Sequence, residues 1–157
     1  MVTIKSKREI EQMKEACKLT AQVHEVLKEA IRPGISTYEL DQIAEKFIRS
    51  NGGIPSEKNY PSGIPGVPDF PGSICASIND EIIHGIPSKH AILKEGDVVS
   101  FDITAYKNGF HGRRASPAQG GPMWAEGELP QRGKRGRPGA SASAEQARPK
   151  AALGLLK

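Results

Sequence analysis

Little in this chain of 157 residues is suited to cross-linking or crossing a membrane: it has two cysteines, one tryptophan, three tyrosines and four phenylalanines. Cys17 and Cys75 lie in apolar-patterned segments without zinc-ribbon spacing, which excludes a disulfide framework and reads as reduced thiols in a cytoplasmic protein. No stretch reaches the roughly 18 apolar residues of a membrane span, and the Met1–Lys5 start has no apolar run behind its charges. Neither a membrane nor export is expected. The absences are also uneven, because after Gly112 there is no Ile, Val, Phe, Tyr, Asp or His at all.

That shift divides the chain. Residues 1–112 carry a formal charge of −2 and residues 113–157 carry +6, so the high overall pI says nothing about what the first part binds. In the second part 27 of 45 residues are Ala, Gly, Pro or Arg, without helical or strand periodicity. Such a composition buries too little apolar surface to offset ordering entropy, and the expectation is a disordered basic tail over 113–157.

The first part has clear punctuation. Ser6-Lys7-Arg8-Glu9 forms a capping-box pattern, and Ile10, Met13, Cys17, Thr20, Val23 or His24, Leu27 and Ile31 follow at helical spacing up to Pro33-Gly34. A second capping box, Ser36-Thr37-Tyr38-Glu39, opens a helix with Leu40, Ile43, Ala44, Phe47 and Ile48 on one face, ending at Asn51-Gly52-Gly53. From Ile54 to Gly72 the Pro and Gly density predicts an ordered loop. Ser73–Ile78 and Glu81–Ile86 then read as a hairpin about Asn79-Asp80. In 98–106, Val99, Phe101 and Ile103 alternate with Ser100, Asp102 and Thr104, and Asn108-Gly109 turns the chain back. The fold class expected is α+β, two helices and then antiparallel strands.

The run from Phe70-Pro71-Gly72-Ser73-Ile74-Cys75 to Asn79-Asp80-Glu81-Ile82-Ile83-His84-Gly85-Ile86-Pro87, with Gly96-Asp97-Val98-Val99-Ser100-Phe101-Asp102, resembles the signature of type I methionine aminopeptidases of the peptidase M24 family. The resemblance covers residues 1–112. It implies the N-terminal half of a pita-bread fold, with metal-dependent removal of the N-terminal methionine from nascent polypeptides. The cofactors it implies are divalent ions such as Co, Mn, Fe or Zn, which suit carboxylate-rich sites where two cations share an activated water.

The resemblance also assigns residues. Asp102 matches the first metal-binding aspartate, and Arg113 stands where the second would follow His111-Gly112. The remaining histidine and two glutamates of the family's site have no counterpart after residue 113. A guanidinium there would pair with Asp102 and compete with metal, so tight metal binding and activity are not expected of this chain. His84 matches a histidine that faces substrate, where an imidazole titrating near neutrality can exchange a proton. Phe70 and Cys75 match a pocket for the methionine side chain, since a ring and a thiol make a soft wall for a thioether. His24, His90 and His111 read as structural. Phe70, Cys75 and the short N-terminal lead favour this family over aminopeptidase P or prolidase, and the ribosome is compatible as a partner.

For the tail two further readings follow. Lys134-Arg135-Gly136-Arg137-Pro138 resembles an AT-hook core, which gives the alternative of a non-catalytic pita-bread scaffold with a nucleic-acid-binding tail. A match so short arises often by chance in Arg-, Gly- and Pro-rich sequence, so the enzyme-family reading ranks first. The other reading is a shift of reading frame at codon 113: Arg113-Arg114 written CGA-CGN gives GAC, aspartate, one base later.

Overall fold

The computed structural model describes residues 4–119, in the order α1 (Lys7–Ala30), α2 (Thr37–Ser50), β1 (Ile54–Pro55), β2 (Cys75–Ile78), β3 (Val98–Lys107) and β4 (Phe110–Gln119). Both helices start where the capping boxes place them. Ser6 Oγ accepts from Glu9 N while Glu9 Oε2 accepts from Ser6 N, and Ser36 and Glu39 repeat the exchange. In this way side chains satisfy donors that a helix start leaves open.

All strand pairs are antiparallel and converge on β3. One edge of β3 takes β2 along Val99–Asp102 and β1 at Ala105–Tyr106, and the other takes β4 along its whole length. Asn108 (φ 53°) and Gly109 (φ 88°) form the two-residue turn between β3 and β4, both in the left-handed region that such a turn requires. Val99, Phe101, Ile103 and Ala105 point from β3 into the core, where they meet Leu19, Val23 and Leu27 of α1 and Leu40, Ala44 and Ile48 of α2. The other face of β3 carries Ser100, Asp102 and Thr104, each half-buried.

The tail boundary expected after Gly112 is corrected, because the β3–β4 ladder runs on through Gln119. Backbone pairing needs no apolar composition, and Pro117 is tolerated because β4 is an edge strand among the described residues. The rest of the expected tail, with Trp124 and the AT-hook-like segment, lies outside the described residues. The hairpin is corrected as well: β2 pairs with β3, and Glu81–Ile86 forms no strand. Asn79 turns in the left-handed region (φ 54°) and its side chain bonds to Val98 N and Asp97, tying that turn to β3 instead.

A third correction concerns α1, whose buried face is Ala16, Leu19, Thr20, Val23, His24 and Leu27, with Cys17 exposed. Close approach to β4 sets that face. A Cβ on Gly112 would lie 2.4 Å from the carbonyl carbon and oxygen of Ala16, so helix and strand meet backbone to backbone. Thr20 Oγ1 donates to the Gly112 carbonyl at 2.8 Å, and His24 Nε2 lies 3.0 Å from the Arg114 carbonyl. Burial pushes the His24 imidazole down, which suits a neutral ring donating to that carbonyl.

Candidate functional site

On the polar side of β3 the loop between β1 and β2 folds back to wall one side of an open cavity of about 850 Å³. Ser56 N donates to the Thr104 carbonyl at 2.9 Å and fixes the start of the loop beside β3. Farther on, Asn59 N donates to the Phe70 carbonyl at 2.9 Å and Phe70 N to the Tyr60 carbonyl at 3.0 Å. The two arms of the loop are thereby clamped together, and both aromatic rings reach the cavity wall. Loop and strand share a support at Asp41 of α2: its buried Oδ1 accepts from Ser73 N at 2.6 Å and Ile74 N at 3.1 Å, just before β2.

The four residues singled out in the motifs, Phe70, Cys75, His84 and Asp102, all line this one cavity, as does Arg113. His84 arrives by a constrained backbone, since it holds φ at 57°, uncommon for a residue with a side chain. Its neighbour Gly85 locks the segment to β2, where Ala76 N donates to the Gly85 carbonyl at 2.9 Å and Gly85 N to Ser77 Oγ at 3.1 Å. A Cβ on Gly85 would stand 2.2 Å from the Ala76 oxygen, so only glycine permits the contact.

Asp102 and Arg113 lie on one face of the sheet. Arg113 is the register partner of Thr104, which puts it diagonally across from Asp102. Its Nε donates to Asp102 Oδ1 at 2.9 Å and its second terminal nitrogen to Oδ2, so both carboxylate oxygens are engaged by one guanidinium. The hydrogen bonds and charge of Asp102 raise the already high pKa of Arg113, which keeps it cationic. Cys75 is buried, and desolvation pushes its thiol up to about 12, so it presents an uncharged sulfur rather than a thiolate. Among the described residues, no three His, Cys, Asp or Glu side chains gather in a group that could hold a metal ion.

His111 and Glu57 also reach the cavity, without a role there assigned by the resemblance. His111 lines it with Nδ1 2.9 Å from Ser56 Oγ and its ring 4.9 Å from that of Tyr106. Glu57 lines it too, and burial raises its carboxyl to about 7, against a lowering by Thr104. Only the acidic residue itself, in a loop dense in Pro and Gly, could have signalled Glu57. His90 does not line the cavity, and His24 is spent on β4.

The model of metallopeptidase family M24 matches residues 11–115. Methionine aminopeptidase 1 of Bacillus subtilis is 50% identical over 115 residues, which are 73% of this chain and 43% of that protein. The crystal structure of methionine aminopeptidase from Rickettsia prowazekii aligns with a TM-score of 0.70 at 32% identity, covering 77% of this chain and 46% of that one. Aminopeptidase P from Escherichia coli aligns with a TM-score of 0.59 at 20% identity over 73% of this chain and 23% of its own, a likeness of fold alone. The chain thus spans less than half the length of these relatives.

Proposed function

Because the chain belongs to metallopeptidase family M24, with the pita-bread fold of its neighbours, we propose that its cavity receives the N-terminal methionine of a polypeptide and holds it without hydrolysis. The name shared by its relatives, methionine aminopeptidase, supports the substrate. In this reading Phe70 and Cys75 form the wall for the thioether side chain, where an uncharged sulfur and an aromatic face offer dispersion contacts without a competing charge. His84, at the same cavity, presents an imidazole to the peptide group that follows. The setting is the cytoplasm, where new polypeptides emerge from ribosomes.

The observation that carries the loss of hydrolysis is the Arg113–Asp102 pair. The family implies divalent cations, and Asp102 would be the residue to hold one. With both oxygens engaged by a fixed cation and no second carboxylate on Arg113's position, this donor set does not fit a metal pair. A cation entering beside Asp102 would face the guanidinium at a few ångströms, a repulsion that one shared carboxylate does not offset.

Calorimetric titration of the full chain with Co²⁺ or Mn²⁺ tests this directly. Expected is no stoichiometric uptake at micromolar metal, together with no release of methionine from a Met-Ala-Ser peptide. Stoichiometric micromolar uptake accompanied by methionine release would overturn the reading.

A further inference from the structure

The cavity's charges can be paired off one by one, and one carboxyl oxygen is left over. Lys58 bonds to Glu45 at 3.3 Å, and Arg113 bonds to Asp102. Glu57 keeps a buried oxygen, Oε2, with no hydrogen-bond partner. An orphaned acceptor of this kind is costly in a folded protein, and in an otherwise satisfied site it marks where a donor belongs.

We propose that Glu57 is the amine anchor of this cavity: its carboxyl takes the ammonium group of a ligand whose side chain lies against Cys75 and Phe70. The inference rests on the peptide-N-terminus reading above and adds to it the group that would hold the free amine. A compact ammonium suits the place better than the other cations. It brings three donors on one atom, so a single free carboxylate oxygen can engage it. A guanidinium would seek both oxygens side by side, and a metal ion would need more donors than this wall provides. The terminal torsion of a glutamate is broad and two-fold, so the carboxyl can turn Oε2 toward the cavity that Glu57 lines without moving the backbone. The backbone itself is fixed by the neighbouring Ser56–Thr104 hydrogen bond.

The test uses the full chain at pH 8 and two probes with the same side chain, L-methioninamide and N-acetyl-L-methioninamide, titrated calorimetrically into wild type and Glu57→Gln. Gln preserves shape and removes the charge; circular dichroism and thermal melting establish that the variant is folded. In wild type the free-amine probe is expected to bind about tenfold more tightly than the acetylated one, the worth of a charge-assisted hydrogen bond. In Glu57→Gln that preference falls to within about twofold while the affinity for the acetylated probe is unchanged. Equal binding of the two probes to wild type, or a preference that survives in the variant, overturns the anchor and leaves the pocket reading standing. Binding of neither probe overturns the pocket reading and the anchor with it.

Discussion

The two faces of β3 answer to different physics. On one, Val99, Phe101, Ile103 and Ala105 are wholly buried against the helices, and any sequence with that alternation in that place would build the same layer. On the other, Ser100, Asp102 and Thr104 stand half-exposed, the last two at the cavity, and what they do depends on which partner each one meets. The apolar face depends on filled volume more than on which particular neighbour supplies it. The polar face is governed by the identity of the neighbour, since Arg113 opposite Thr104 turns Asp102 into half of an ion pair. The packing of one face is thus independent of the partner that a side chain meets on the other.

The comparison is broken most severely from the apolar side. Among the described residues Phe101 is the largest fully buried side chain, and it belongs to the core cluster. Phe101→Ala is expected to cost about 4 kcal/mol from lost burial and an unfilled cavity, read as a lower urea midpoint. That would leave a domain of this size largely unfolded at modest denaturant. A change under about 1 kcal/mol would mean that this face does not hold the fold together.

A second experiment sets two aspartates against each other. Asp102 is held by a side chain and Asp41 by backbone, through Ser73 N and Ile74 N. Burial raises the Asp41 carboxyl and those bonds lower it, burial being the larger effect, so the two backbone bonds offset only part of its desolvation. Asp41→Ala strands two buried N–H groups and is expected to cost about 3 kcal/mol. Asp41→Asn, whose amide oxygen still accepts, recovers part of that. If Ala and Asn behave alike, Asp41 acts by charge and not by tethering the approach to β2.

How much of this was legible follows the same division. Both capping boxes, the burial alternation of β3 and the Asn108-Gly109 turn are local patterns, and each formed where its residues stood. The pairing of β2 was not legible, and the Asn79-Asp80 signal pointed to the wrong hairpin, because the better partner for β2 lay about twenty residues onward in β3, beyond any local signal. Nor was the seven-residue extension of β4, since a ladder uses backbone groups that composition does not report. Ala16 displaced Cys17 from the buried face because a close helix–strand approach selects the smaller side chain. At the site, Phe70, Cys75, His84 and Asp102 were readable as a motif, and the structure gathers them round one cavity without thereby assigning their roles. Glu57 was not readable, since a long loop and one backbone bond to Thr104 bring it there.

Glu57 gives the mildest perturbation and the sharpest one for the polar face. Burial lifts its pKa from an ordinary 4.5 to about 7 in the folded chain. The folded state therefore holds a proton that the unfolded state has already released over that interval, and the stability associated with it is full below about pH 4.5 and is lost as pH rises through 7. Glu57→Gln carries no such proton. The variant should melt with wild type at pH 4.5 and become progressively more stable than wild type toward pH 8, by about 2 kcal/mol after allowance for partial exposure. A difference that does not vary with pH would mean that the carboxyl is solvated in the free protein. The buried face of β3 has no titratable group, so the difference in melting between wild type and Phe101→Leu, both of which keep Glu57, should not vary across the same pH range and serves as the control for the contrast between the two faces.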